Sequence, residues 1–242
     1  EYTFYYEKAE SAGAVAHHYI IDNNGNKTTD KLFNDDTANG KIGKTFSFSP
    51  KTEGLGDYEY VESEGTTSGA LTSEIQEVTF YYQLKMTDIT VRYVTIKDGN
   101  VTDLIKPVKD TGRINDDYTA YAKDKTDDAV FANYNLESAT EQTIKLKSSD
   151  NTITFIYTLK DSKIIVHYVE KGTNKTLEPD KEFPGKVTDK FEISAINIPK
   201  YTAVDTTSYN GEYTLETKEY TFYYEKNESA GAIAHHYIID EN

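Results

Sequence analysis

The chain has no cysteine and no tryptophan, and it has a single methionine among its 242 residues. The absence of cysteine excludes disulfide bonds, thiolate metal sites and cysteine nucleophiles, although it does not fix the cellular compartment. With only 5 prolines and 14 glycines, and with 13% aromatic residues, the composition is not that of a disordered linker. No apolar run approaches the roughly 18 residues that a membrane-spanning helix needs, so this segment is not expected to insert into a membrane.

Basic residues are also scarce. There are 26 lysines and arginines against 41 aspartates and glutamates, which gives a formal net charge of −15. Nucleic acids and anionic membrane surfaces are therefore poor partners, because both need a basic patch. The 21 tyrosines, together with abundant threonine, favour β-strands.

A long repeat is the strongest pattern in the chain. Residues 1–24 return as residues 219–242, and the two copies differ only at the pairs Ala9/Asn227, Val15/Ile233 and Asn23/Glu241. Such near-identity at an offset of 218 residues (from 1 to 219) predicts that the chain is a piece of a longer tandem array. Residues 1–10 are then interpreted as the closing strand of a preceding repeat, and residues 227–242 as the opening strand of the next.

A shorter period of roughly 70 residues divides the long repeat. Opening strands are centred on Tyr19, Tyr93, Tyr168 and Tyr237, and closing strands on Phe4, Phe80, Phe155 and Phe222. Between them lies a glycine before Lys/Arg and Ile/Val, at Gly40, Gly112 and Gly185. The pattern predicts three modules, at 11–85, 86–160 and 161–226. Domains of this size are individually marginal, so contacts between neighbouring repeats are expected to stabilise them.

Alternation with period two predicts the strands and their buried faces. The predicted core sets of the closing strands are Val78/Phe80/Tyr82, Ile153/Phe155/Tyr157 and Tyr220/Phe222/Tyr224. Those of the opening strands are Ile89/Val91/Tyr93 and Ile164/Val166/Tyr168, with Tyr19 aligned to the two tyrosines. The glycine of the middle landmark is interpreted as a bend or bulge. Helix is expected only as one short element within 127–137.

Four short motifs, clearest in residues 163–226, carry a resemblance to a known family. They are Val166-His167-Tyr168-Val169, Gly185-Lys186-Val187, Ile198-Pro199-Lys200-Tyr201 and Tyr220-Thr221-Phe222-Tyr223-Tyr224. This pattern resembles the mucin-binding-protein (MucBP) repeats of surface adhesins of lactobacilli, listeriae and related Gram-positive bacteria. Lys200 stands where that family usually has glycine, and the middle module offers only Asn133-Tyr134 at this element.

The resemblance implies a mostly β (β-rich α+β) fold. It consists of tandem small β-grasp-like modules arranged end to end as an elongated rod, with each opening strand beside its closing strand in a mixed sheet. It also implies an extracellular location in a cell-wall-anchored parent protein. The implied partners are neighbouring repeats of the same chain and the glycans of host mucin or other glycoproteins.

Two functions of different class are compatible with this pattern. In the first, the modules are a stalk that spaces a distal binding head from the cell wall. In the second, they bind mucin sugars through exposed tyrosines that stack on the sugar rings. The candidate residues, selected because they lie off the assigned core faces or in loops, are Tyr81, Tyr121, Tyr209 and Tyr223. Cross-strand packing is the alternative interpretation of the same tyrosines.

Catalysis and metal binding are not predicted. His17 and His18 are adjacent in a strand and so point to opposite faces, and no third ligand keeps a metal-site spacing around them, so a role on the strand surface is favoured. The Asp22-Asn24-Asn26 segment lacks the closing glutamate of an EF-hand and is interpreted as a turn. Acidic residues are dispersed, and no phosphate loop or nucleophile motif occurs. Neither an enzyme activity nor a cofactor is expected.

The terminal strands predicted over residues 2–8 and 233–239 would each lack a partner within the chain. An unpaired strand edge invites pairing with another chain. The sequence therefore predicts that these segments associate between molecules or with the edge of a neighbouring module.

Overall fold

A computed structural model describes residues 1–5, 11–228, 231 and 234–235. This part of the chain is mostly β-strand and forms two compact units. The first lies within Glu1–Val94, Val101–Ala122 and Ser138–Ile156, and the second within Thr95–Asn100, Lys123–Glu137 and Tyr157–Asn242.

The strands fall into three groups by their pairing. The first comprises β1 (Ser11–Ile21), β2 (Lys27–Lys41), β3 (Thr45–Ser47), β4 (Tyr58–Gly65), β5 (Ser68–Ala70) and β6 (Gln76–Leu84). The second comprises β7 (Met86–Lys97), β8 (Asn100–Asp103), β9 (Val108–Arg113), β10 (Asp117–Tyr121), β11 (Tyr134–Leu136), β12 (Glu141–Lys145) and β13 (Asn151–Leu159). The third comprises β14 (Asp161–Glu170), β15 (Thr176–Lys186), β16 (Lys190–Ser194), β17 (Tyr201–Val204), β18 (Ser208–Glu212) and β19 (Lys218–Lys226).

The predicted neighbourhood of opening and closing strands is confirmed. In the first group the sheet order is β2-β1-β6-β4, and in the third it is β15-β14-β19-β17. In both, the two central strands are parallel and the outer strands antiparallel to them. The middle sheet has the order β11-β13-β7-β8, with β9 also paired to β7. A two-stranded ribbon accompanies each sheet, formed by β3-β5, β10-β12 and β16-β18.

The core lies on one face of each sheet, as the alternation predicts. Phe80, Phe155 and Phe222 are at most 1% exposed, and the neighbouring same-face residues of the closing strands are buried or half-buried. The opening-strand sets Ile89/Val91/Tyr93 and Ile164/Val166/Tyr168 are likewise buried. In the third group, Phe191 and Ile193 of the ribbon complete this core.

The alignment of the first opening strand, which placed Tyr19 beside Tyr93 and Tyr168, is wrong by one residue. His18, not Tyr19, is fully buried, and it lies opposite Phe80 in the parallel pair as Tyr168 lies opposite Phe222. The small side chains of Ala14 and Ala16 share its face, so the alternation of this strand runs through them. The aligned tyrosine is only half-buried on the other face, and the expectation of a surface role for His18 is also wrong.

The interpretation of the landmark glycine as a bend is wrong as well. The left-handed residue of each turn comes three positions later, at Gly43, Asn115 and Thr188, with φ of 86°, 69° and 70°. In the second and third groups the glycine instead allows close packing. A Cβ on Gly185 would lie 2.4 Å from the Tyr213 ring, and one on Gly112 would lie 2.4 Å from Leu146 Cδ1.

The short helix expected within residues 127–137 is confirmed as a 3-10 helix, Ala129–Asn133. Its N-terminus is capped by Asp128, whose carboxylate accepts a hydrogen bond from the N–H of Val130 at 2.9 Å.

Residues 1–5 lie outside any strand, and the side chains of Tyr2, Phe4 and Tyr5 are 79–93% exposed. The remainder of the strand predicted over 2–8 lies outside the described residues. The same holds for the strand predicted over 233–239, except at 234–235, which are not in a strand. The association of these segments with other strands stays a prediction.

Candidate glycan-binding surface

Tyr81 lies on the outward face of β6, where it is paired with Tyr19 of β1, but it is only 8% exposed. The ammonium group of Lys27 lies 4.8 Å from the centre of its ring, and its hydroxyl donates a hydrogen bond to Glu64 at 3.3 Å. Burial raises the pKa of the phenol. The expected exposure of this ring is therefore wrong, because an ion pair between Lys27 and Glu62 and Glu64 covers it.

Tyr209 in β18 is also not a free platform. Its ring packs against Tyr220 and Phe222, with centroids 4.5 and 4.9 Å apart. Its hydroxyl donates to the carbonyl of Thr221 at 2.8 Å, and burial raises its pKa. The expected exposure is wrong here because β18 belongs to the ribbon that closes the third core.

Two of the four candidate tyrosines do present their rings. Tyr121 at the end of β10 is 60% exposed, while its backbone carbonyl accepts a hydrogen bond from the hydroxyl of Tyr93 at 3.1 Å. Tyr223 in β19 is 37% exposed and occupies the position that Tyr81 has in β6, one residue after the core phenylalanine. A sugar ring can stack only on an accessible aromatic face, so these two rings are the surviving candidates.

The two groups considered for metal binding have other partners. The imidazole of His18 contacts the Tyr82 hydroxyl at 2.9 Å and the Asp36 carboxylate at 3.1 Å. Asp22 closes its turn by accepting hydrogen bonds from Asn24 and Asn26 at 2.8–3.0 Å, and these bonds, first of all that from the Asn26 side chain, lower its pKa. Within the described residues no three His, Asp or Glu side chains cluster as a metal site would require, and no helix is both long and apolar enough to cross a bilayer.

Comparison with known families identifies the three groups of strands. The MucBP domain matches the chain three times, over residues 14–83, 88–158 and 163–225. The chain belongs to the MucBP family. This is a family of binding repeats and not of enzymes. The three matched segments are called the first, second and third MucBP domains below.

Relatives of this chain occur in Listeria monocytogenes. Internalin J of serotype 4b (strain F2365) is 27% identical over 237 residues, and the match covers 94% of this chain and 24% of that protein. Internalin I of serovar 1/2a (strain ATCC BAA-679 / EGD-e) is 27% identical over 213 residues, with 86% and 11% covered. The chain thus spans a minor part of these relatives. Together with the family, they support a repeat region of a Gram-positive cell-surface adhesin, located outside the cell.

Solved structures with some likeness to the chain include two mucus-binding repeats. The structure named Mub-RV is 12% identical, with a TM-score of 0.25, and the match covers 90% of this chain and 100% of that one. The type 2 repeat of the mucus binding protein MUB from Lactobacillus reuteri is 11% identical, with a TM-score of 0.23 and 88% and 99% covered. The Bacillus anthracis TIE protein is 10% identical, with a TM-score of 0.43 and 90% and 51% covered. These TM-scores are low, so the fold rests on the strand pairing and on the family.

The three MucBP domains share an outward contact between a basic residue and an aspartate, which sequence reasoning missed. One residue before the core ring, each opening strand carries a basic side chain that faces an aspartate of a neighbouring strand. The closest N···O distances are 3.2 Å for His17–Asp35, 2.9 Å for Arg92–Asp103 and 2.8 Å for His167–Asp180. The signal in the sequence was the shared position of His17, Arg92 and His167, but the acidic partners lie at different distances along the chain.

Consecutive MucBP domains are joined by one lysine. Lys85 stands between β6 and β7, and its N–H donates to the carbonyl of Asp57 at 2.8 Å, while its carbonyl accepts from the N–H of Ile114 at 3.0 Å. Its ammonium group also donates to the carbonyl of Gly56 at 2.8 Å. The linker therefore bonds to the domain before it and to the domain after it.

Lys160, between β13 and β14, repeats this arrangement. Its N–H donates to the carbonyl of Asn133 at 2.9 Å, and its own carbonyl accepts from the N–H of Val187 at 3.0 Å. Its ammonium group donates to the carbonyl of Ala132 at 2.7 Å. Because the same hydrogen bonds occur at both linkers, this junction is a recurring structural feature of the repeat.

Side chains add a further tie at each linker. The amide of Asn23, in the turn after β1, donates to the Asp116 carboxylate at 2.5 Å. At the next junction, the ammonium group of Lys97 lies 2.9 Å from Asp189, which holds the same place after Val187 as Asp116 holds after Ile114. Pairing with this aspartate raises the pKa of Lys97.

Proposed function

We propose that the chain is the stalk-forming repeat region of an adhesin anchored in the wall of a Gram-positive bacterium, with 11–85, 86–160 and 161–226 as its structural modules. The observation that carries this proposal is the single-residue linker. A flexible spacer lets neighbouring domains rotate freely, whereas Lys85 and Lys160 are each hydrogen-bonded on both sides. The near-identical copies at 1–24 and 219–242 also suit a structure that gains length by duplication.

Small-angle X-ray scattering tests the stalk. A compact domain of about 70 residues has a diameter of roughly 2 × 11 Å, so each MucBP domain should add at least that length to the particle. We expect the maximum dimension to double, within error, in a two-repeat chain made of residues 1–242 followed by residues 25–242. If the maximum dimension grew only with the cube root of the mass, as it does for a globular particle, the stalk would be excluded.

A second function, the binding of mucin glycans, is favoured by the exposure of Tyr121 and Tyr223. The family supports this ligand class, and repetition would turn weak single sites into useful avidity. The strong negative charge argues against nucleic acid as a partner.

Retention of the full chain on immobilised mucin tests this function. Tyr121→Ala and Tyr223→Ala should each weaken retention at least severalfold without unfolding the chain. The matched control is Ile75→Ala, since Ile75 is exposed but not aromatic. Unchanged retention in both tyrosine variants, or no retention even of a multimerised wild-type chain, would leave only the stalk.

A further inference from the structure

Ile42, Ile114 and Val187 occupy the same position in the three MucBP domains. Each is followed by a left-handed residue whose N–H donates to a buried residue ahead of the closing strand. The three bonds are Gly43 to Leu71, Asn115 to Leu146 and Thr188 to Tyr213, at 2.8–2.9 Å. The local backbone is therefore the same in all three turns.

Their exposure is not the same. Ile114 is 4% exposed and Val187 is 3% exposed, whereas Ile42 is 43% exposed. The two buried residues bond through their N–H groups to the linkers Lys85 and Lys160, so they lie where one domain meets the domain before it. Burial at this position thus goes with the presence of a preceding MucBP domain.

The end of the third domain offers the matching linker. The N–H of Asn227 donates to the carbonyl of Lys200 at 2.8 Å, as Lys85 donates to Asp57 and Lys160 to Asn133. Asn227 begins the segment 227–242, which is nearly identical to residues 9–24, a stretch that includes the start of the first domain. In sequence, therefore, the segment after this linker matches the beginning of the first domain.

We infer that Ile42 is the docking residue of the first MucBP domain and that its partner is the linker end of a third-domain copy, around Asn227 and Lys200. This inference rests on the proposed stalk, in which copies of these repeats follow one another. The contact continues the interface that already buries Ile114 and Val187, and it would bury an apolar side chain that the first domain otherwise exposes to water.

Thiol labelling tests the contact cleanly because the chain has no cysteine. Ile42→Cys is placed in either the first or the second copy of the two-repeat chain, where only the second copy follows a third domain. We expect labelling of the second copy to be roughly tenfold slower, in line with the fall in exposure at the equivalent positions. The control, Ile75→Cys, should react equally fast in both copies, because Ile75 is 68% exposed within its own domain.

Equal labelling of position 42 in the two copies would overturn the inference. Unfolding cannot imitate the expected result, because an unfolded chain would be labelled at position 42 at the same rate in both copies. Failure of the stalk is recognised separately. An elongated particle with equal labelling retains the stalk and removes the docking contact, whereas a compact particle removes the stalk whatever the labelling rate.

Discussion

His18 lies against Phe80 with the two rings nearly parallel, 20° apart, and their centroids separated by 5.4 Å. The other domains form the same stack with a phenol ring, in the pairs Tyr93–Phe155 at 5.4 Å and Tyr168–Phe222 at 6.2 Å. The imidazole brings two nitrogens into the core, and both have partners, Tyr82 and Asp36. Asp36 is in turn paired with Lys51 at 2.6 Å, which is the main reason that its pKa is lowered.

The first prediction concerns this buried histidine. His18→Ala should destabilise the first domain by about 2–4 kcal/mol, because it leaves a cavity beside Phe80 and removes a hydrogen-bond partner of Asp36 and Tyr82. The matched change His17→Ala, on the outward face of the same strand, should cost less than about 1 kcal/mol. Urea unfolding, monitored by hydrogen exchange of the β1 and β6 amides, measures the loss of stability in both variants. Equal costs would contradict the burial of His18.

The second prediction separates two tyrosine hydroxyls in the third domain. Among the described residues, the buried hydroxyl of Tyr168 has no hydrogen-bond partner, whereas that of Tyr224 donates to the carbonyl of Ile196 at 2.9 Å. Tyr168→Phe should therefore leave the free energy of unfolding unchanged or raise it, since it removes an unsatisfied polar group. Tyr224→Phe should lower it by about 0.5–1.5 kcal/mol. A larger loss for Tyr168→Phe than for Tyr224→Phe in urea unfolding would refute this assignment.

The fold was largely predictable because strand alternation repeats in every domain. Phe80, Phe155 and Phe222 mark the buried face wherever the closing strand occurs, and period two fixes the face of their neighbours. The error at Tyr19 came from aligning residue identity. In that strand the buried face is carried by two alanines and a histidine, which do not stand out as core residues in a sequence.

The candidate surface was harder to predict. Alternation predicts on which face of a sheet a side chain lies, but it does not show whether other side chains cover it there. Tyr81 and Tyr223 hold equivalent outward positions, yet Tyr81 lies under a lysine that reaches over from β2 and is 8% exposed, whereas Tyr223 is 37% exposed. Which ring is covered depends on ion pairs between strands that are far apart in sequence, such as Lys27 with Glu62. The linker bonds of Lys85 were hidden for the same reason, since backbone groups carry no mark in the sequence.

The third prediction tests why glycine precedes the Lys/Arg-Ile/Val landmark. Gly185→Ala should destabilise the third domain by about 1–3 kcal/mol, because the added Cβ meets three atoms of the Tyr213 ring at 2.4–2.7 Å. Gly40→Ala is the matched control. Its Cβ meets the flexible Lys44 side chain, which can move away, so the cost should stay below about 1 kcal/mol. Thermal unfolding of both variants checks the order, and a greater cost at Gly40 would show that the glycine serves the turn after all.

The last prediction concerns pH. The carboxylate of Asp180, 2.8 Å from Nδ1 of His167, raises the pKa of this imidazole, and Glu219 at 3.5 Å from Nε2 acts in the same direction. A raised folded-state pKa means that the ion pair stabilises the domain fully below the unfolded value of about 6.5 and that this contribution is lost as pH rises through the folded-state pKa. The third domain should therefore lose stability as the pH rises above about 6.5 and through the raised folded-state pKa. His167→Gln should flatten that dependence. Asp180→Asn, which keeps the histidine but removes its main partner, should flatten most of it too. A slope that survives in His167→Gln would assign the pH dependence to other groups.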